Sequence, residues 1–486
     1  MNPSAPLQVD VAIVGTGQAA PSLAVALAGD GETVALIEGH LVGGTCVNTG
    51  CTPTKTLRKS ARVAHMARRA AEFGVRLGSV EIDFAAAMAR MQARADSARG
   101  GLEAWLADQA RVHLIRGWGR FNGVHEAGGF SLQAGNRQVV ARRVYLNTGT
   151  RPVVPSITGL DTVPFLDNVS LLQLRSLPRH LVILGGSYIG LEMGQIFRRL
   201  GSQVSIVETG PRITGREDAD VSEAIRVMLE EEGIAVHCGQ AVDAVAALGS
   251  GNGGGEGGSS GSEGVRVRVG GRDIEGSHLL VATGRQPNTE RLGLGNVGMK
   301  VDAHGYVPTD GQLRTNVPGI WALGDINKRG AFTHTSYHDH EIVLANHRRE
   351  KQGSGAALRS ADDRTMAYAM FTDPPLGRVG IGEAEARALV AKGRKVLMAT
   401  HAMADVSRAK EESETTGLIK LLVDGDNGRF LGATVFGIQG DEVIQVISNF
   451  MATGASYQVL KDALPVHPTV AEFLPTVLGK LKRLDA

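Results

Sequence analysis

Cys46 and Cys51 stand five positions apart in the run Gly43-Gly44-Thr45-Cys46-Val47-Asn48-Thr49-Gly50-Cys51-Thr52-Pro53-Thr54-Lys55, and the chain has one further cysteine, Cys238. Five positions of a regular helix rise about 7.5 Å, slightly beyond the Cα separation a relaxed disulfide tolerates. A bond between the two thiols therefore demands local distortion, which Asn48 and Gly50 between them are suited to supply. A strained, accessible disulfide is the easily reduced kind used in catalysis. If the segment opens a helix, its terminal N–H groups also favour a thiolate. Zinc ligation or two buried free thiols is the competing interpretation. Zinc wants two more ligands at compatible spacing, and Cys238 is far away in an apolar, strand-like run. The pair is thus expected to be a redox center, with no metal.

The elements that must position these thiols begin upstream. The apolar run Val11-Ala12-Ile13-Val14 stops at Gly15-Thr16-Gly17-Gln18-Ala19-Ala20 and continues into an Ala- and Leu-rich segment, which reads as strand, phosphate loop and helix. Gly15 permits the tight turn, Gly17 lets backbone approach a pyrophosphate, and Ala20 is small enough for close helix–strand packing. A second strand, Thr33 to Ile37, ends at Glu38, placed to accept from a ribose hydroxyl. With the cysteines immediately after it, this site is expected to hold FAD.

A second unit of the same kind starts at Leu181-Val182-Ile183-Leu184, followed by Gly185-Gly186-Ser187-Tyr188-Ile189-Gly190-Leu191-Glu192. Ser187 replaces the usual second glycine, Gly185 and Gly190 keep the outer positions, and the next strand ends at Glu208. A carboxylate there accepts from a 2′-hydroxyl and repels a 2′-phosphate, so NAD(H) is expected, with NADP(H) the alternative because Arg212 and Arg216 follow closely.

A chain of 486 residues, 43% hydrophobic, has room for two or three packed domains. A formal net charge of +1 provides no basic excess for neutralising phosphates, which argues against a nucleic-acid partner. No apolar run reaches about 18 residues and the N-terminus has no basic-then-apolar leader, so no membrane partner is expected. Three cysteines in so long a chain fit a reducing compartment, and the expected location is cytoplasmic.

The cysteine run resembles the active-site motif of the class I pyridine nucleotide-disulfide oxidoreductases, the flavoenzyme family of dihydrolipoamide dehydrogenase, glutathione reductase and mercuric reductase. Matching motifs recur from about Val11 to about Glu472. The resemblance implies an α/β fold, with two Rossmann-like dinucleotide-binding domains for FAD and NAD(P) and a C-terminal α+β dimerisation domain. The expected boundaries are 1–150 and 286–360 for the two parts of the FAD domain, 151–285 for the NAD(P) domain and 361–486 for the dimerisation domain.

By the same resemblance Gly44 and Thr45 adjoin the flavin, Cys51 faces it, and Cys46 exchanges with substrate. Lys55 pairs with Glu192 near the reactive flavin nitrogen. Asn147-Thr148-Gly149-Thr150 marks the exit from the FAD domain, Val281-Ala282-Thr283-Gly284 the return to it, and Asp325 in Ile320-Trp321-Ala322-Leu323-Gly324-Asp325 hydrogen-bonds the ribityl chain. His467, in Leu464-Pro465-Val466-His467-Pro468-Thr469, matches the family's base and Glu472 its orienter. A histidine held by a carboxylate takes a proton from a thiol near neutral pH and returns it to a leaving thiol. The resemblance also implies a homodimer in which His467 meets the Cys46 of the other subunit.

The expected substrate is a disulfide or dithiol, dihydrolipoamide-like. Mercuric ion is the alternative, since Pro53-Thr54-Lys55 looks closest to that side of the family, although the chain ends in Leu481-Lys482-Arg483-Leu484-Asp485-Ala486 without paired cysteines. It also keeps a histidine where mercuric reductases typically carry a tyrosine. Glutathione is disfavoured by Val25, where glutathione reductases carry an arginine. A contrasting class is an electron-transfer or sensing flavoprotein without disulfide chemistry, whose activity would survive loss of both cysteines.

Three further stretches carry expectations. Leu57 to about Ala110 reads as two amphipathic helices broken at Gly74–Gly78 and weakened at Gly100 and Gly101, with its arginines on a solvated face. Leu248–Gly264 is almost pure Gly, Ser and Glu and reads as a surface loop. His334, His338, Asp339, His340 and Glu341 read as a charged helix surface rather than metal ligands.

Overall fold

The computed structural model describes residues 5–248, 264–353 and 355–485. All but the ends of the Gly/Ser-rich stretch 248–264 lies outside these. The helices that carry the site are α1 (Ala20–Gly29), α2 (Gly44–Asn48), α3 (Cys51–Arg69), α4 (Phe84–Ala107), α5 (Tyr188–Leu200), α6 (Ala219–Glu231) and α7 (Thr333–Lys351). The chain forms two compact units, residues 1–57, 86–153 and 284–364, and residues 58–85, 154–283 and 365–486.

The first unit is built on a seven-stranded sheet. Leu7–Val14 lies at its centre, parallel to Val34–Glu38 on one side and Arg137–Leu146 on the other, in registers Val11↔Val34 and Val14↔Leu146. Val112–Arg116 extends one edge, Ile320–Ala322 also pairs in parallel with Arg137–Leu146, and Phe130–Ala134 and Gly119–Val124 add an antiparallel flank. The central strand reads as a continuous apolar run because both of its faces are covered. Val11, Ile13, Leu23, Leu27, Leu36 and Leu106 pack on one face, and Ala12, Val14, Ala35, Leu132 and Val144 on the other.

α4 continues through Gly100 and Gly101, where weakening was expected, to Ala107. An added Cβ at either glycine meets nothing within 4 Å. Beyond them Leu106 is buried in the apolar core and Leu102 packs against it, and this anchorage outweighs a helix-propensity cost of about 1 kcal/mol per glycine.

The second unit contains a parallel sheet in the order Ala235–Cys238, Gln203–Glu208, His180–Leu184, His278–Val281, with a three-stranded antiparallel sheet from Val242 to Gly276. Its C-terminal part forms a six-stranded antiparallel sheet that includes Leu376–Gly380, Leu418–Asp424 and Phe430–Phe436, over a core of Val379, Leu421, Val435, Ile444, Leu474 and Val477.

The arginines of α3 do not form the expected solvated face. Arg58 and Arg62 both donate to Asp373 Oδ1, at 3.2 and 2.5 Å, and Arg199 of α5 takes Oδ2. Asp373 and Arg199 are 4% and 6% exposed, and a buried carboxylate persists only with such partners. Sequence periodicity had no means of finding a partner more than 300 residues away.

No helix among the described residues is long and apolar enough to cross a membrane.

Candidate active site

The redox pair sits where two helices meet. α2 ends at Asn48, Thr49 leaves helical geometry at φ −142°, ψ 21°, and α3 restarts at Cys51. The distortion that the spacing demanded falls at Thr49–Gly50, where an added Cβ on Gly50 would lie 2.8 Å from the Thr45 carbonyl. Asn48 contributes through its side chain: its amide donates to the carbonyls of Val42 and Gly44, both at 2.9 Å, and its Oδ1 accepts from Arg99 of α4 at 3.0 Å.

Cys46 and Cys51 are both unbonded thiols, partly buried. A hydrogen bond with Cys51, burial and the Cys51 charge push the Cys46 thiol far above its ordinary value, against weaker pulls from Thr333 and Lys55. Cys51 Sγ lies 3.2 Å from the hydroxyl of Thr333, the first residue of α7. No motif in the sequence pointed to Thr333. Lys55 follows on α3, half-buried.

The glycine loop at the head of the central strand fits a bound pyrophosphate. Gly15 has φ +93°, and a Cβ there would lie 2.3 Å from the Asn147 carbonyl. At Gly17 it would lie 2.5 Å from Asn147 Oδ1, a buried acceptor with no partner among the described residues. A Cβ at Gly44 would come within 3.2 Å of Gly17 Cα, so the loop and the start of α2 are in close contact. Ala20 is fully buried and donates to the Gly17 carbonyl at 3.1 Å. Backbone this close leaves no room for side chains and presents N–H groups at the head of α1, as an anion requires. Thr45 is exposed.

Glu38 braces the loop. Its Oε2 accepts from the Thr16 N–H and hydroxyl at 2.9 and 2.5 Å, and its Oε1 from the His40 N–H at 2.7 Å. Each carboxylate oxygen has two acceptor sites, so Oε1 keeps capacity for a ribose hydroxyl.

Thr148 donates to the Asn288 carbonyl at 3.0 Å, Gly149 at φ +63° accepts from the Asn288 N–H, and Gly284 has φ +143°. Thr150 donates to Asp325 at 3.1 Å. Burial pushes the Asp325 carboxyl above its ordinary value, opposed by Arg285 and that hydroxyl.

The turn carrying Asp325 is held by Asp339, whose Oδ2 accepts from the Gly324 N–H at 2.8 Å and from Asn327 at 3.1 Å while Arg364 takes Oδ1. This corrects the reading of His334–Glu341 as a charged surface: Asp339 and His340 are 1% and 6% exposed. Asp339 faces the Gly324–Asn327 turn instead, while His334 stays exposed, and helical charge pattern alone does not say which face is inward.

In the second unit Gly185 has φ +113°, and Cβ atoms added at Gly185 and Gly190 would lie 2.4 Å from the Ala282 carbonyl and 2.0 Å from the Gly185 carbonyl. Glu208 accepts from the Gly186 N–H with Oε2 and from the Gly210 N–H with Oε1, both at 2.7 Å. Arg212 and Arg216 are exposed. Glu192, near the start of α5 and 4% exposed, accepts from the Phe371 N–H at 2.8 Å.

His467 and Glu472 come together, Nδ1 lying 3.0 Å from Oε2. The imidazole is 76% exposed, and beside it Leu464 and Val466 are 97% and 75% exposed. Among the described residues one acidic group has metal-like spacing, Asp218, Asp220 and Glu383. The Lys420 ammonium is bound to all three at 3.2, 2.7 and 2.7 Å.

A model of the pyridine nucleotide-disulphide oxidoreductase family matches residues 9–339, and a model of its dimerisation domain matches residues 366–478. The Escherichia coli K12 protein named probable pyridine nucleotide-disulfide oxidoreductase RclA is 34% identical over 478 residues, spanning 97% of this chain and 98% of its own. A solved structure of that protein, described as the Cu(II) complex of an HOCl-induced flavoprotein disulfide reductase, superposes with a TM-score of 0.84 at 32% identity, covering 97% and 99% of the two chains. Streptomyces lividans mercuric reductase is 33% identical over 96% of this chain and 94% of its own. Dihydrolipoyl dehydrogenase of Chlorobaculum tepidum is 30% identical over 96% and 95%.

Proposed function

This chain belongs to the class I pyridine nucleotide-disulfide oxidoreductases, FAD-dependent enzymes that use a pyridine nucleotide, and from that premise we propose that it reduces a disulfide substrate, dihydrolipoamide-like in its dithiol form, through Cys46 and Cys51. The observation that carries the reading is the thiol pair at the α2–α3 break, in which Cys46 and Cys51 lie within hydrogen-bonding reach of each other.

Gly15, Gly17, Glu38, Gly44 and Asp325 are the residues that would hold FAD, and Gly185, Gly190 and Glu208 those that would hold the nicotinamide nucleotide. FAD, when bound, supplies two-electron transfer between nicotinamide and the cysteine pair. His467, oriented by Glu472, takes the Cys46 proton, because burial and Cys51 leave that thiol too weak an acid to ionise unaided. The Cys46 thiolate attacks one sulfur of the substrate disulfide. The sulfur–sulfur bond breaks, a mixed disulfide forms, and the leaving thiolate takes the proton from His467. The Cys51 thiolate then attacks the Cys46 sulfur, closes the protein disulfide and releases the second half of the substrate as a thiolate, which takes a proton from solvent. Glu192 and Lys55 are proposed to act as a charge pair at the flavin.

His467 is proposed to serve the Cys46 of a second copy, so the active unit is a homodimer. Its exposure together with Leu464 and Val466 supports this reading, as does the match to a dimerisation domain. Mixing inactive Cys46→Ser with inactive His467→Ala protein under subunit exchange is expected to restore activity, since a heterodimer carries one intact site. No recovery despite demonstrated exchange would place the base in the same chain. A cytoplasmic location fits the sparse cysteine content.

For the nucleotide we favour NADH. The Glu208 carboxylate, held at the loop by the Gly186 and Gly210 N–H groups, would accept from a 2′-hydroxyl and repel a 2′-phosphate. Glu208→Ala is therefore expected to raise the KM for NADH roughly tenfold, about 1.4 kcal/mol of binding, and to raise that for NADPH less, because the lost bracing is offset by the lost repulsion. Steady-state kinetics with each nucleotide check this, and a native preference for NADPH would defeat it.

Mercuric ion is the second reading, favoured by likeness to the Streptomyces lividans enzyme. Parallel turnover of lipoamide, small disulfides and mercuric ion tests the proposal, and turnover of the metal ion alone would reject it.

A further inference from the structure

Thr333 lies outside every motif the sequence offers, yet its hydroxyl is 3.2 Å from Cys51 Sγ and also pulls on the Cys46 thiol. It is the first residue of the 19-residue α7, whose Thr335 and Ser336 N–H groups both donate to the Phe332 carbonyl at 3.1 Å. Its place is fixed from several sides. The Thr335 hydroxyl donates to the Phe332 carbonyl at 2.7 Å and accepts from the Phe332 N–H at 3.2 Å. The Asn147 amide, which also donates to the Leu323 carbonyl, lies 3.3 Å from the Ser336 hydroxyl, and Phe332 stacks on His334 with ring centroids 5.5 Å apart. A threonine held this firmly presents its hydroxyl to the thiols in a defined direction.

We propose that Thr333 is a positioning residue for the redox pair: its hydroxyl donates to Cys51 Sγ, assigning the thiolate to Cys51 and leaving the proton on Cys46. The inference rests on the disulfide-reductase reading for its use but on geometry for its content. Between a neutral thiol and a hydroxyl either atom can donate. Once Cys51 has lost its proton only Thr333 can, and a hydrogen bond to an anion is about twice as strong as one between neutral partners. The bond therefore favours ionisation of Cys51.

Other groups act within the same thiol pair: Cys51 hydrogen-bonds Cys46, and the Lys55 ammonium from within α3 acts on the Cys46 thiol. All of them remain when the Thr333 hydroxyl is removed, so its share is separable. A thiolate fixed at Cys51 leaves Cys46 protonated and dependent on an external base, which divides the work between the two thiols.

The test uses the flavin-loaded protein in a Cys46→Ser background, which isolates Cys51, with Thr333→Val and Thr333→Ser compared. Valine keeps the β-branched shape without the hydroxyl, and serine keeps the hydroxyl without the methyl. The pH midpoint of Cys51 alkylation by iodoacetamide is followed by mass spectrometry with Cys238 as internal control, beside the pH midpoint of the long-wavelength flavin absorbance. The expected result is an upward shift of about one pH unit in Thr333→Val, roughly tenfold in thiolate fraction at fixed pH, and none in Thr333→Ser. An unmoved midpoint in Thr333→Val, or an equal shift in both variants, would overturn the proposal. Absence of the long-wavelength absorbance at every pH would count against the disulfide-reductase reading, while the alkylation midpoints would still decide the role of Thr333.

Discussion

Cys46→Ser is expected to lower NADH-dependent disulfide turnover by roughly ten-thousand-fold or more while leaving reduction of the bound flavin by NADH intact, because the residue removed is the one that attacks substrate. Cys51→Ser is expected to be as inactive in turnover but to differ in its spectrum. A long-wavelength charge-transfer absorbance, expected of the native protein on two-electron reduction, should persist in Cys46→Ser and vanish in Cys51→Ser. The two proteins share a fold and a defect, so the spectrum separates the roles that kcat cannot. The structure gives the asymmetry a physical basis: the hydrogen bond with Cys51 and burial push the Cys46 thiol above its ordinary value, whereas Cys51 faces the Thr333 hydroxyl at the head of α7. Retention of the band in Cys51→Ser would reverse the assignment. Substantial turnover in the double variant would favour a flavoprotein without disulfide chemistry.

The second large effect is on stability. Asp373→Asn is expected to lower the unfolding free energy of the second unit by about 3–5 kcal/mol, the range for breaking a buried ion pair on one side. The carboxylate takes Arg199 on one oxygen and Arg58 and Arg62 on the other, and removing its charge leaves three cations to share Glu232, which holds Arg199, and Glu414, which holds Arg62. The surrounding backbone is tied to the same place. The Asp373 N–H donates to Gln195 Oε1 at 2.7 Å, the Gln195 amide donates to the Asp373 carbonyl at 2.8 Å, and Glu192 accepts from Phe371. One stripe of α5, Glu192, Gln195 and Arg199, therefore reads the segment Phe371–Asp373 as α5 turns.

The pH dependence follows with a defined sign. Burial pushes the Asp373 carboxyl up, but Arg199, Arg62 and Arg58 outweigh it and hold it below the ordinary range. A group depressed in the folded state contributes stability that is complete above its unfolded value, about 4, and is lost as pH falls through the folded value. Denaturant unfolding of the two proteins should differ most near neutral pH and converge in acid. A difference that stays constant from pH 7 to pH 3 would rule out the ionised carboxylate as its source.

Features that depend on local order could be read from the residues alone. Two strand–glycine–helix units were legible because an apolar run, glycines at fixed offsets and an acid some twenty positions on are consequences of backbone geometry within about 30 residues. Gly15 and Gly185 do adopt left-handed φ, and Glu38 and Glu208 do end their strands. The break in helical geometry between Cys46 and Cys51 was legible too, since helix rise and disulfide reach are both fixed lengths.

Contacts between residues far apart in the chain emerged only with the fold. Charge pattern assigned Arg58 and Arg62 to solvent and Asp339 to a helix surface, yet each is turned inward by a partner that periodicity cannot see: Asp373 for the arginines, the Gly324 N–H and Arg364 for Asp339. Gly100 and Gly101 signalled a weakened helix end, but α4 holds because Leu106 is buried in the core beyond them. Thr333 carried no signal at all. A threonine at a helix start is ordinary, and it acquires chemistry only because the fold sets it 3.2 Å from a sulfur 282 positions earlier.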